Sequence, residues 1–152
     1  MPLYIHENFT VNLSEQLRRG DIDVAILALP FAEHGVVCRA VYDEPFCVAV
    51  PVGHPLAACS VISRDQVATA NLLLLGKGNC FRDQVVEACP KLSQPAVIEG
   101  SIEGSSLETV RHMVASGAGI SVVPVSAAES WPQGSSLLEI RRFSDPQPTR
   151  RV

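Results

Sequence analysis

A chain of 152 residues with 47% hydrophobic side chains can bury one sizeable core or two small ones. With 5% aromatics, Val, Leu, Ile and Ala must fill it. A formal net charge of −4 without a Lys/Arg run excludes an electrostatic footprint for the phosphate backbone of nucleic acid.

No apolar run approaches the roughly 18–20 residues that cross a membrane, and no basic n-region precedes an apolar h-region at the start. Five cysteines at irregular spacing argue against a secreted disulfide framework. The expectation is a cytoplasmic chain whose cysteines are mostly thiols, any disulfide being transient and redox-sensing.

In chain order, the alternation of Leu3 to Glu7 predicts a short strand. Phe9, Leu13 and Leu17 share one helical face, with Thr10 as N-cap, Arg18 and Arg19 at the C-terminal end and Gly20 at C′. The apolar run Asp23 to Leu29 reads as a buried parallel strand, which completes a βαβ unit. Val36–Tyr42 and Phe46–Val50 are further extended stretches, separated by Asp43-Glu44-Pro45, and His54-Pro55 marks a turn.

Asn71 to Leu75 predicts another buried strand, closed by Gly76-Lys77-Gly78. A short helix follows over Arg82 to Ala88 and is ended by Pro90, because the residue before proline leaves the α region. Val97, Ile98 and Ile102 suggest one more strand. Ser105-Ser106-Leu107-Glu108 has the form of a capping box for a helix whose buried face carries Leu107, Val110, Met113 and Val114. Gly117-Ala118-Gly119 stops that helix, Ile120 to Val123 returns as a strand, and Leu137 to Ile140 is a weak one. Alternating strands and helices predict an α/β fold with largely parallel sheets, in two patches that meet near Pro45.

Three segments resemble the effector-binding region of LysR-type transcription regulators: LRRGDIDVAIL (17–27), DEPFCVAVPVGHPLA (43–57) and SSLETVRHMVASGAGISVVP (105–124). The likeness spans nearly the whole chain. A narrower one, LLLLGKGNCFRDQVVEAC (72–89), is similar to the redox segment of the peroxide-sensing members, and HENFT (6–10) looks more like those members than like an average relative.

The resemblance implies a two-lobed, periplasmic-binding-protein-like regulatory domain with one lobe incomplete. Residues 1–45 would belong to the first lobe, 46–145 to the second with the redox segment, and 146–152 to the return crossing. It further implies a regulator, not an enzyme, that responds to hydrogen peroxide and forms a homo-oligomer. DNA would be met only through a winged helix-turn-helix outside this chain.

The resemblance assigns Cys80 as the peroxide-reactive thiol and Cys89 as its disulfide partner. A helix N-terminus and a nearby cation such as Arg82 favour thiolate, the nucleophilic form. The residues alone also allow a small buried thiol that packs a helix start. One straight helix over residues 80–89 would hold the two cysteines about 13.5 Å apart along its axis, on opposite faces, whereas a disulfide needs Cα atoms within about 7 Å. The pair would therefore be a switch.

Thr10 would hydrogen-bond peroxide across the cleft, and Arg150 or Arg151 would match a family arginine near the cysteine. Asn79 stands where these members usually carry histidine; its amide hydrogen-bonds but does not shuttle a proton near neutral pH. Cys38, Cys47 and Cys59 read as passive small hydrophobes. A competing reading takes the cysteines as incidental and binds a small anionic effector at the helix start near Ser101, Ser105 and Ser106. No cofactor is expected, and His6, His34, His54 and His112 lack the spacing of a metal site.

Overall fold

The computed structural model describes residues 2–131 and 137–152, without the side chains of residues 95–97. Its scaffold is a mixed sheet built on one long strand, β1 (Asp43–Pro51), buried from Phe46 onward. Flanking β1 are β6 (Leu138–Phe143) and β5 (Ile120–Pro124), both antiparallel to it. Beyond β5 lie β3 (Leu72–Leu75) and β4 (Ile102–Gly104), each parallel to its neighbour, and β2 (Val61–Ile62) runs parallel to β6 at the other edge. The spatial order is β2-β6-β1-β5-β3-β4. A seventh strand, β7 (Thr149–Arg151), pairs antiparallel with the first three residues of β1.

The apolar runs predicted as buried strands explain the centre of this sheet. β3 and β5 are buried along their whole length because helices cover them. Of these, α5 (Leu107–Ala115) buries Val110 and Val114 against β1, β3 and β5, while α6 (Val125–Ser130) leans on β1 and β5. α3 (Cys80–Ala88) lies on β3 and buries Phe81 and Val85. The short α2 (Arg64–Ala68) carries a complete capping box between Ser63 and Gln66. Phe46, Phe143, Ile62, Leu73 and Ile120 form the middle of the core. The sheet is mixed, not largely parallel, because β1 meets β5, β6 and β7 head to tail.

Several expectations are corrected. Residues 3–7 and 23–29 form no strand: Leu3, Ile5, Val24 and Ile26 are exposed, and only Leu29 reaches a partner, through a bridge to Arg151. A strand exists only where a neighbour completes its hydrogen bonds, and among the described residues these segments find none. Of the expected βαβ unit only the helix is present, α1 (Thr10–Arg19), ended by Gly20 in the left-handed region at φ 77°. Val36–Tyr42 is likewise outside any ladder, although Val41 and Tyr42 bond the backbone of Val152. Of Val97, Ile98 and Ile102, read as one strand, the first two are helical in α4 (Pro95–Gly100), where proline occupies the first turn, its favoured helix position, and Ile102 opens β4.

Two glycines permit close approach, Gly104 against the buried Val110 side chain and Gly119 against backbone. A Cβ on Gly119 would stand 2.4 Å from the carbonyl oxygen of Asn71, the group that accepts from Ile120 N and starts the β3–β5 pairing. Gly119→Ala is expected to cost about 1–3 kcal/mol through this overpacking. Gly100→Ala, which meets nothing within 4 Å, should change stability by no more than about 0.5 kcal/mol. Urea melts of the two variants check the contrast.

Candidate functional site

The first turn of α3 is organised by its neighbours on both sides. Asn79 is the N-cap: its Oδ1 accepts from Phe81 N at 3.0 Å, a role in which asparagine ranks among the strongest residues. The amide expected beside the reactive thiol therefore closes the helix start. Cys80 is the first helical residue and is exposed. The helix begins two residues earlier than the sequence pattern suggested because this cap satisfies its first turn.

Arg82, expected beside Cys80 as a thiolate partner, is buried and engaged elsewhere. Its Nη1 donates to Leu75 O at 2.8 Å and to Glu103 Oε1 at 2.6 Å, binding α3 to the ends of β3 and β4. A guanidinium carries a fork of donors that suits two acceptors at once. Its charge is thus balanced by Glu103.

Cys89 lies at the other end of α3 as the C-cap residue and is fully buried. Burial pushes its thiol up, against a smaller opposing pull from Arg64. Behind it, the 3-10 turn Pro90–Ser93 buries Leu92 and is tied to α2 by Lys91–Asp65 at 2.8 Å. All five cysteines are free. With α3 intact, Cys80 and Cys89 face opposite ways, one to solvent and one to the core.

Arg150 stands one ring away from Cys80. Its guanidinium carbon lies 5.2 Å from the centroid of Phe81, whose ring meets Phe46 edge-on at 5.3 Å. The same guanidinium donates to Glu44 Oε2 at 2.6 Å, and Glu44 Oε1 accepts from Ser126 N at 3.1 Å. Burial alone would push the Glu44 carboxyl up; the bonds from Ser126 and Arg150 outweigh it and hold the carboxyl below its usual range. A chain of contacts thus runs from β1 and β7 to the residue after Cys80. Arg151 instead pairs with exposed Asp43, and its bond holds that carboxyl low too.

Thr10 is the first residue of α1, not its cap; Phe9 holds the cap position without a side-chain bond. The Thr10 hydroxyl makes no hydrogen bond among the described residues. Near α5 the cap is Ser106, whose Oγ accepts from Thr109 N at 3.1 Å, so the box expected from Ser105 and Glu108 does not form. Glu108 pairs with Arg111 and His112 instead. Ser105 bonds the Thr109 hydroxyl, and Ser101 donates to Ile98 O.

Cys47 is buried in β1, where desolvation, with Glu129 and Glu44 nearby, pushes its thiol up to about 12. Cys38 is exposed and Cys59 half-buried. The described residues contain no cluster of potential metal ligands and no helix long and apolar enough to cross a membrane.

Glu44, Phe81 and Glu103 went unread in the sequence. An acid inside an apolar strand was the available signal for Glu44, and Glu103 gave none, since its partner is 21 residues away. The depressed Glu44 carboxyl contributes stability above its unfolded value of about 4.3, and that contribution is lost as pH falls through the lower folded value. Glu44→Gln should cost on the order of 3 kcal/mol near neutrality. Its deficit relative to the parent should shrink as denaturation is followed down through that acid range.

The LysR substrate binding domain family matches residues 1–152. The chain is 36% identical over its whole length to a probable hydrogen peroxide-inducible genes activator of Mycobacterium avium, and spans 48% of it. It is 35% identical over 127 residues to OxyR of Escherichia coli, covering 84% of this chain and 41% of that one. The chain spans about half the length of the curated relatives it matches. Among solved structures, the reduced OxyR regulatory domain of Pseudomonas aeruginosa superposes with a TM-score of 0.89 at 50% identity, over 100% of this chain and 72% of that one. An H2O2-bound OxyR mutant of Corynebacterium glutamicum gives 0.84 at 33% identity, over 95% and 45%. The mixed α/β fold is that of these regulatory domains, and the chain belongs to the LysR substrate binding domain family, among the OxyR regulatory domains.

Proposed function

We propose that this chain is the peroxide-sensing part of a LysR-type transcription regulator, in which Cys80 is oxidised and then bonds Cys89. The observation that carries the reading is the placement of two free thiols at opposite ends of α3, one exposed and one buried. Residues 1–45 and 146–152 belong on this reading to one lobe and its crossing, and residues 46–145 to the other. The full-length regulator meets DNA through a separate winged helix-turn-helix and acts as a homo-oligomer in the cytoplasm. One peroxide is consumed per disulfide, and on this reading the chain acts as a regulator, not an enzyme.

The chemistry proceeds in two balanced steps. The Cys80 thiolate attacks one oxygen of hydrogen peroxide, the O–O bond breaks, and the leaving hydroxide takes a proton to become water. Cys80 is now a sulfenic acid, oxidised by two electrons. The Cys89 sulfur then attacks the Cys80 sulfur, the S–O bond breaks, and a second water leaves with the Cys89 proton. On this reading Thr10 hydrogen-bonds the peroxide, and Arg150, held by Glu44, stands beside Cys80 across the Phe81 ring.

The second step is gated by the fold. Thiolate is the attacking form, and burial pushes the Cys89 thiol away from it. The helix also separates the two residues along its axis, by about 13.5 Å for a straight helix of that length. Closing the bond therefore unwinds α3, at about 1 kcal/mol for each backbone hydrogen bond lost. The short loop so closed returns only about 2–3 kcal/mol of chain entropy. A strained disulfide is easier to reduce, which suits a resettable sensor.

Stoichiometric peroxide should lower the free-thiol count from five to three, with a tryptic map that links Cys80 to Cys89. Cys89→Ser should stop at a sulfenic acid trapped by a dimedone-type reagent, and Cys80→Ser should trap nothing. An unchanged mass after peroxide would defeat the reading and favour the small-anion alternative.

Amide hydrogen exchange of the reduced and oxidised chain tests the unwinding itself. Protection over residues 81–92 should fall on oxidation. Unchanged protection there would mean that the bond forms without remodelling α3.

A further inference from the structure

We infer that the Arg82–Glu103 pair is a latch that holds α3 in its reduced, helical arrangement and sets how readily the Cys80–Cys89 disulfide forms. The inference rests on the redox reading above and assigns to two residues outside the thiol chemistry control over its equilibrium. Three observations carry it.

Arg82 lies two residues after Cys80, inside the segment that must unwind, and its side chain is 6% exposed. One nitrogen, Nη1, serves both Leu75 O at 2.8 Å and Glu103 Oε1 at 2.6 Å. The helix is thereby pinned to the last residue of β3 and the middle residue of β4, two parallel strands. Those strand ends are themselves joined, since Gly76 N donates to Gly104 O at 3.1 Å. Arg82 is thus fastened to a rigid part of the sheet.

A buried guanidinium is costly to strip of its partners and costly to move without them. Bringing Cys80 to Cys89 displaces the first turn of α3 and with it Arg82. The reduced state keeps both bonds, and the oxidised state must lose or rebuild them. The latch therefore favours dithiol over disulfide. Glu103 touches neither sulfur, so its influence passes through Arg82 and makes it a positioning residue. Its side chain is 42% exposed, which moderates the strength of the pair.

The test is a thiol–disulfide equilibrium of the 152-residue chain in glutathione buffers, where the protein dithiol and oxidised glutathione exchange to protein disulfide and two reduced glutathiones. Glu103→Gln should raise the equilibrium constant for disulfide formation by about fivefold. Arg82→Gln, which removes the charge that pairs with Glu103, should shift it the same way. In a Cys89→Ser background, Glu103→Gln should leave the rate of sulfenic acid formation at Cys80 within about twofold of the parent. Loss of global stability shared by both redox forms would not move the constant.

Equal constants for the parent, Glu103→Gln and Arg82→Gln would overturn the latch and leave the sensing reading intact. A parent chain that forms no disulfide at any glutathione ratio would instead remove the reading beneath it.

Discussion

Two sulfurs at opposite ends of an intact nine-residue helix cannot bond, and the rest of the site is arranged around that constraint. α3 places Cys80 in solvent and Cys89 in the core. Its half-turn offset follows from helical pitch, nine steps of about 100° each. A separation of about seven or eleven residues would put both thiols on one face. The spacing therefore gives one thiol access to an oxidant and denies it to the other.

Both ends of the helix are held, by different means. At the first turn polar attachments join the buried Phe81 ring: the Asn79 cap, the Arg82 bonds to Leu75 and Glu103, and the Arg150 guanidinium over Phe81. At the far end the attachment is mostly burial, with Cys89 and Leu92 in the core, and one exposed ion pair, Lys91–Asp65. Polar anchors depend on geometry and fail together when the turn moves. Apolar packing falls off more gradually with displacement. Such an asymmetry suits a helix whose N-terminal half gives way first.

Strand β1 connects this helix to the rest of the molecule. Its first three residues pair with β7 and its remainder with β5 and β6. Glu44 sits at the change of partner, where it binds Arg150 on β7 and the start of α6. A rearrangement at Phe81 would be felt there through Arg150. Residues 24–41 reach β7 and the residue after it through backbone bonds, from Leu29 to Arg151 and from Val41 to Val152. They line a groove of about 610 Å3 with Val24, Ile26, Val37 and Val41 directed to it, and the backbone there makes few ladder bonds.

Local pattern was sufficient for much of the fold. Buried runs at 71–75 and 120–123, the helix over 107–115 and its glycine stop all stand as read, because each is set by periodicity or by a terminator within a few residues. The cysteine spacing and its resemblance were equally local, and they located α3 and the geometric obstacle to bonding. Tertiary structure decided whatever depended on a distant partner. Residues 3–7 and 23–29 have the pattern of strands but no neighbour to complete them. Val97 and Ile98, apolar and ambiguous over so short a run, took the helical form. Arg82 could be read as a cation near a thiol, yet its job was settled by Glu103, 21 residues on, and by the carbonyl of Leu75. Glu44 and Arg150 are 106 residues apart. Spacing along a chain reports which faces can be apolar; it does not report which charges will meet, because that depends on how the strands are ordered in the sheet.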